Sequence, residues 1–329
     1  MIELSHINKT FRVARRSAGM REATKALFRR TYTEVNALRD VSFTIGDGEM
    51  VGYIGPNGAG KSSTIKVMSG ILTPDSGSCT IDGCVPWRDR RRHVANIGVV
   101  FGQRSQLWWD VPVIDSFELI RDIYRVDDST YRASLDELTA LLDLSEILRT
   151  PTRQLSLGQR MRCEIAASLI HRPRILFLDE PTIGLDAVSK LAVRDFIRRI
   201  NRERGTTVIL TTHDMQDIEA LTERIILIGR GKILLDGALD ELRARNSTTR
   251  QITVVFAPGT PSPADRPLPA GIALVSSSEG RAVFAVDTAV LSVSAAIEVL
   301  TREVDVRDLS VAGQSTDELV VSLYEEFRI

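Results

Sequence analysis

An α/β fold organised on a largely parallel sheet is what this 329-residue chain predicts, and three observations carry the prediction. From Val41 onward, short apolar runs of strand length alternate with segments of helical length and period. One of those runs, Met50–Ile54, leads directly into a glycine-rich loop that opens a helix. After about residue 245 the composition shifts, and a proline-rich stretch introduces a second, smaller set of strands and helices.

Taken in order, residues 2–7 alternate like an edge strand. Residues 12–33 break that pattern and are basic, as an insertion would be. Buried strands are expected at Met50–Ile54, Ile97–Phe101, Ile175–Leu178, Thr207–Thr211 and Arg224–Ile228. Helices are expected at Lys61–Ser69, Ile114–Arg125, Tyr131–Leu142, Gly158–Ile170, Ala187–Arg204 and Met215–Glu223. Ile225–Gly237 reads as a hairpin turning at Gly229-Arg230-Gly231. Ala257–Pro269 holds five prolines and is expected to be a loop. Beyond it come strands at Ile272–Ser276 and Ala282–Val286, a helix near Val290–Arg302, a strand near Val304–Val311 and a helix near Thr316–Phe327. The pattern divides the chain into residues 1–244 and a small α+β appendage, 245–329.

Composition narrows the function. Basic and acidic residues nearly cancel, 42 against 43, so no global field favours nucleic acid or a membrane surface. Aromatic residues make up 5%, too few for a surface that stacks bases. Cys79, Cys84 and Cys163 form no C-x-x-C pair and fit idle thiols of a reducing compartment. The opening MIELSHINKTF lacks the apolar core of a signal peptide. Apolar runs such as Ile175–Leu178 and Ile225–Ile228 are far too short to span a bilayer, so any membrane role is expected to pass through a partner chain.

The chemistry is written in the loop Gly52–Ser63. Gly55-Pro-Asn-Gly-Ala-Gly60-Lys61-Ser62 matches the phosphate-binding loop in its strand-to-helix setting. Glycines let the backbone curl so that its N–H groups face phosphate oxygens, and the helix N-terminus adds about half a positive charge. Gly55, Asn57, Gly58, Gly60, Lys61, Ser62 and Ser63 are therefore the expected ATP cradle. Lys61 should reach the outer phosphates, and Ser62 should hold Mg²⁺. Asp179 ends the apolar run Ile175–Leu178 and is expected to anchor the same Mg²⁺; Glu180 follows it and is the expected general base.

The residues between these motifs carry a family resemblance. Leu155-Ser-Leu-Gly-Gln159 resembles the signature motif of ATP-binding cassette (ABC) transporter ATPases, with Leu157 in place of the commoner glycine. Gln103, after the run Ile97–Phe101, resembles the family's Q-loop glutamine; the extra Gly102 keeps Gln106 in view. Ile183-Gly-Leu-Asp186 resembles the D-loop, and His213 the switch histidine. The resemblance covers residues 1 to about 240 and implies an ABC-type phosphate-loop core: a RecA-like sheet, a helical subdomain at about 104–165 and an N-terminal antiparallel β part. It implies hydrolysis of ATP with Mg²⁺, with Glu180, His213 and Gln103 catalytic and Ser62, Gln103 and Asp179 around the metal. It implies that Ser156, Gly158 and Gln159 close on the ATP of a second ATPase subunit, with Asp186 crossing between the two. The Phe-Gly-Gln-Arg-Ser-Gln-Leu-Trp-Trp stretch and the long N-terminal insertion look like the exporter branch, whose permeases are separate multi-helix membrane chains. The expected location is the cytoplasmic face of the cell membrane, and nucleic acid is not an expected partner.

Three weaker signals complete the reading. The family stacks adenine on an aromatic just after the first strand; Phe11 occupies that place, with Tyr32 as rival and core packing as the plain alternative for both. Residues 11–30 hold seven basic side chains and one acid, which fits either a solvated insertion or contact with anionic lipid or permease. Trp108 and Trp109 are adjacent, so at least one is expected to be exposed, in the region where the family docks a permease helix.

Overall fold

In a computed structural model the described residues are 1–14, 32–102, 104–246, 249–257, 262–302, 304–313 and 316–328. They fall into two compact units, Met1–Asp236 and Gly237–Arg328. The second unit begins earlier than the boundary expected after residue 244.

The first unit holds two sheets. Strands β1 (Ile2–Ala14), β2 (Tyr32–Ile45) and β4 (Ser76–Ile81) form an antiparallel sheet in the order β2-β1-β4. β1 is therefore central, where an edge strand was expected. It also runs on through Phe11 to Ala14, so Phe11 sits within the strand and not after it. Its two-sided pairing explains the correction: residues 2–7 alternate because one face packs on the core, with Ile2, Leu4 and Ile7 buried. Of the basic stretch, residues 12–14 and 32–33 belong to these strands, and 15–31 lie outside the described residues.

The larger sheet contains β3 (Met50–Ile54), β5 (Ile97–Phe101), β6 (Ile175–Asp179), β7 (Thr207–Thr211), β8 (Arg224–Gly229) and β9 (Lys232–Ala238), in the order β5-β6-β7-β3-β8-β9. The pairs from β5 through β8 are parallel. Their runs are apolar, as buried parallel strands require, and Tyr53, Phe177 and Ile226 share one core with Ile2, Leu4 and Phe43 of the antiparallel sheet. β8 turns into β9 through Arg230 and Gly231, both at positive φ, the geometry of a two-residue hairpin. Helix α1 (Lys61–Met68) lies against β2, β4 and β6. It buries Ile65, Val67 and Met68, each contributing about 1.5–3 kcal/mol of apolar burial.

A short helix α2 (Arg90–Val94) precedes β5. Helices α3 (Val113–Tyr124), α4 (Asp128–Leu142) and α5 (Leu157–Leu169) follow β5 and pack on one another around buried Phe117, Leu138 and Ile165. α4 starts three residues before the expected Tyr131 because Asp127 caps it, accepting from Thr130 N–H at 2.9 Å. Helices α6 (Ala187–Arg204) and α7 (Met215–Leu221) connect β6, β7 and β8. Topologically, the strands' C-terminal ends gather the loops after β3, β5, β6 and β7, the place where open α/β sheets bind ligands.

The second unit opens with α8 (Leu239–Asn246) and builds an antiparallel sheet from β10 (Thr249–Phe256), β11 (Ile272–Ser278), β12 (Arg281–Asp287) and β13 (Val306–Ala312), in the order β11-β12-β10-β13. Helices α9 (Val293–Thr301) and α10 (Thr316–Glu326) complete it. Ile252, Val254, Phe256, Phe284, Val286 and Leu300 share one core. β10 is absent from the strands expected from sequence, although its period-two apolar positions are those of a half-buried strand. Among the described residues, no helix is long and apolar enough to cross a membrane, and Cys79, Cys84 and Cys163 are free and buried.

Candidate functional site

Beyond β3 the chain has to reverse tightly into α1, and the loop does this with Gly60 at φ +119. A Cβ there would stand 2.8 Å from the Ala37 carbonyl, so only glycine fits. Gly60 is also the N-cap of α1 and supplies no side-chain cap; no acidic residue occupies the first turn. The N-terminal amides of α1 thus remain available to an anion.

The loop walls a cleft of about 600 Å³, of the size that holds a cofactor. Asn57, Gly58, Gly60, Lys61, Ser62 and Ser63 line it, together with Asp179, Glu180 and His213 from the ends of β6 and β7. The structure therefore brings together residues as far apart in sequence as Asn57 and His213. Gly55 contributes through its carbonyl, which accepts from Lys61 Nζ at 2.6 Å; Pro56 O accepts from the same ammonium at 3.2 Å. Burial lowers the Lys61 pKa, and the charges of Glu180 and Asp179 oppose that shift.

Ser62 Oγ donates to Asp179 Oδ2 at 3.3 Å, and Thr211 Oγ1 donates to Asp179 Oδ1 at 2.5 Å. A hydroxyl and a carboxylate meet here at the phosphate loop. Such hard oxygens fit a small divalent cation that keeps several waters. Glu180 Oε2 lies 2.7 Å from His213 Nδ1, within hydrogen-bond distance. Glu180 is partly buried, and that desolvation raises its pKa; His213 and Lys61 pull it back down. Its backbone sits at φ +57, a left-handed conformation that costs a non-glycine residue about 1–2 kcal/mol and has to be held by its surroundings.

The sequence profile described as "ABC transporter" matches residues 38–183. The chain is 33% identical over 208 residues to the ABC transporter ATP-binding protein NatA of Bacillus subtilis, covering 63% of this chain and 84% of NatA. It is 35% identical over 219 residues to the daunorubicin resistance ATP-binding protein DrrA3 of Streptomyces coeruleorubidus, covering 67% of this chain and 69% of DrrA3. The fold is similar to the dimeric structure of MJ0796, a bacterial ABC transporter cassette, with a TM-score of 0.61 and 27% identity over 73% of this chain and 99% of that one. The chain belongs to the ABC transporter ATPase subunits. It is an ATP-hydrolysing cassette, and the cleft is its candidate nucleotide site.

Within the cassette, Ser156 is the N-cap of α5 in a complete capping box. Gln159 N–H donates to Ser156 Oγ at 3.2 Å, and Ser156 N–H donates to Gln159 Oε1 at 2.9 Å. Neither these residues nor Gly158 line the cleft. Leu157 reaches the D-loop: a Cβ on Gly184, at φ +70, would meet Leu157 Cδ2 at 2.6 Å. Asp186 caps α6, accepting from Ser189 N–H and Ser189 Oγ, both at 2.9 Å, and those bonds hold its pKa below the usual carboxylate range.

Gln103 lies outside the described residues. Gly102 and Arg104 on either side of it line the cleft, and Gly102 N–H donates to Asp179 O at 2.8 Å. Gln106 is engaged elsewhere, its side-chain amide donating to Glu164 O on α5 at 2.9 Å. Phe11 and Tyr32 do not line the cleft. Phe11 pairs directly across from Val35, which does, whereas Tyr32 stands at the opposite parity of β2. Trp108 and Trp109 are both exposed, at 59% and 52%, and Arg160 of α5 covers the Trp109 ring at 5.9 Å.

Sequence reading did not name Val35, Asn36, Ala37, Lys66, Ile71, Phe101, Arg104 and Ile183 as cleft-lining residues. Lys66 could have been found one helical turn beyond Ser62, on the same face of α1. Val35–Ala37 reach the cleft only through the β1–β2 pairing, which no local signal announces.

Proposed function

We propose that this ATPase works as one half of an ATP-closed dimer that drives a separate membrane permease, and that export is its direction. The observation that carries the reading is the convergence of Lys61, Ser62, Asp179, Glu180 and His213 on one cleft, while Ser156, Gly158 and Gln159 stay outside it. A signature that cannot reach its own chain's nucleotide has work only across a dimer interface, as in a head-to-tail pair. Asp186 belongs to the same interface, and its capping of α6 fixes where the D-loop ends. The dimeric MJ0796 cassette supports the arrangement.

Lys61 and the α1 amides hold the outer phosphates, and Phe11 offers the adenine a ring beside Val35. Ser62, Asp179 and Gln103 hold Mg²⁺, which when bound neutralises charge developing on the β- and γ-phosphate oxygens. Glu180 accepts the proton of the attacking water as the water oxygen bonds to the γ-phosphorus and the bond to the β–γ bridging oxygen breaks. His213 orients Glu180 in the resting cleft and contacts the γ-phosphate when nucleotide is present. The permease docks on the segment after Gln103, where Trp108 and Trp109 present an exposed aromatic pair. This places the subunit at the cytoplasmic face of the membrane, held there by the permease. The resistance relative DrrA3 supports export. The first compact unit is the ATPase domain, and the second, beginning at Gly237, is an accessory domain that regulates or stabilises the dimer.

Glu180→Gln tests the core of the reading, because it keeps the shape and removes the base. Turnover is expected to stop while ATP binding persists, and light scattering should report an ATP-dependent dimer. A variant that hydrolyses ATP at the normal rate would refute the assignment.

A further inference from the structure

Behind the cleft, one buried carboxylate ties together the two segments that carry Glu180 and His213. Asp217 of α7 is fully buried and does not line the nucleotide site. Its Oδ2 accepts a hydrogen bond from Thr182 Oγ1 and a longer one, 3.4 Å, from Thr212 Oγ1. Its Oδ1 accepts from Arg194 Nε of α6 at 2.6 Å. Thr182 lies two residues after Glu180, and Thr212 immediately precedes His213. Both threonines are buried.

Burying a carboxylate costs several kcal/mol unless it is paired and fully hydrogen-bonded. Joining α6 to α7 would need only the ion pair with Arg194. The two threonine bonds go further, fixing the turns that follow β6 and β7 relative to each other. That is where restraint is needed: Glu180 sits in a left-handed conformation that relaxes unless its neighbours are pinned. Its own amide is held by Thr211 O at 2.9 Å, on the β7 side of the same pair of turns. Thr212 is itself fixed, accepting from Asp214 N–H at 3.0 Å, and Asp214 in turn pairs with Lys190 at 2.5 Å. The Glu180–His213 contact at 2.7 Å is therefore the exposed end of a lattice whose anchor is Asp217.

We infer that Asp217 is a positioning residue for hydrolysis: through the hydroxyls of Thr182 and Thr212 it holds Glu180 against His213 and sets turnover without touching the nucleotide. The inference rests on Glu180 as the base. Removing Asp217 would leave the buried Arg194 only its longer pair with Asp214, at 3.7 Å, and so disturb packing as well, which makes the threonines the clean probes. Thr182→Val keeps the shape and loses the hydroxyl; Thr182→Ser keeps the hydroxyl and loses the methyl.

Steady-state ATPase assays on the full chain, with nucleotide affinity measured alongside, separate the roles. Thr182→Val is expected to lower kcat about tenfold, since small misplacements of a catalytic group cost one to two decades. KM for ATP should stay within about twofold, the sign that only the transition state is affected. Thr182→Ser should restore most of kcat. Wild-type turnover in Thr182→Val, an equal loss in Thr182→Ser, or kcat and KM changing together would overturn the inference. If Thr182→Val does not fold, Thr212→Val decides by the same split, with a smaller loss expected from its longer bond and normal turnover counting against the tether. Normal turnover in Glu180→Gln would instead remove the base assignment. An inactive Glu180→Gln beside an unaffected Thr182→Val would remove the tether alone.

Discussion

Two helices of this cassette begin with sequences that look like anion sites, and their N-termini are finished in opposite ways. α1 starts at Gly60 with no side-chain cap, so its first amides are left to whatever enters the cleft. α5 starts at Ser156 with a reciprocal capping box that satisfies two of the terminal amides, those of Ser156 and Gln159. The first is a preassembled phosphate cradle. The second is partly capped in the single chain: its serine hydroxyl and two of its amides are engaged with each other, so that hydroxyl has to leave an internal bond to serve an external oxygen. A helix dipole is common to both; what differs is the competition for the terminal N–H groups. On the proposed function, the open end is the one that binds nucleotide in the monomer, and the capped end is the one that works in the dimer.

Lys61→Ala breaks the comparison most severely. Removing an ammonium that bonds charged phosphate oxygens is worth about 2–3 kcal/mol, or roughly 30- to 150-fold in Kd for a fluorescent ATP analogue. Ser156→Ala should leave that Kd unchanged in the monomer. A large loss of monomer affinity in Ser156→Ala would mean that the signature serves its own chain's nucleotide.

The open site should also show in the pH profile. Burial raises the Glu180 pKa, so the ionised base is present at high pH and is lost as pH falls through that raised value. kcat/KM, which reports the free enzyme, should therefore begin to fall at a higher pH than an ordinary glutamate, near 4.3, would predict, by about tenfold per unit below it. A profile flat down to the ordinary glutamate range would show that Glu180 is not the titrating group.

At the adenine end the contrast is between two aromatics of one sheet. Phe11→Ala should weaken nucleotide binding by about 1–2 kcal/mol, the usual worth of a stacked base. Tyr32→Ala should change it little, because its side chain leaves the opposite side of β2 from Val35. Titrations giving the reverse order would make Tyr32 the stacking residue.

How legible these parts were follows from how far apart their residues lie. The phosphate loop is contiguous, and its chemistry could be read directly. Asp179, Glu180 and His213 were legible because each follows an apolar strand, and parallel strands end on one side. The central place of β1 was not legible: its partners β2 and β4 are set by non-local pairing, and alternation looks the same in a central and an edge strand of a half-buried sheet. The same holds for Val35–Ala37 in the cleft wall. Asp217 was invisible for a further reason. Four residues past His213, on a helix, an aspartate reads as a solvated side chain, and only the packing of α6 against α7 buries it.

The smallest predicted effect tests the two helix ends against each other in stability. Ser62 and Ser156 are both hydroxyls at a helix start, but only Ser156 accepts from an amide of its own helix. Ser62 donates a long bond, 3.3 Å, to Asp179 and caps nothing. In the absence of nucleotide, Ser156→Ala should therefore lower unfolding stability by about 1 kcal/mol, the usual worth of an N-cap. Ser62→Ala should stay within about 0.5 kcal/mol of the parent, as substitutions away from such features do. With saturating ATP and Mg²⁺ the order should reverse, because Ser62 then loses a contact to bound metal while Ser156 in a monomer loses nothing more. Chemical denaturation of both variants, with and without nucleotide, reads all four values. Equal losses in the absence of nucleotide would show that the capping box contributes nothing, and the distinction between an open and a self-capped helix end would fall with it.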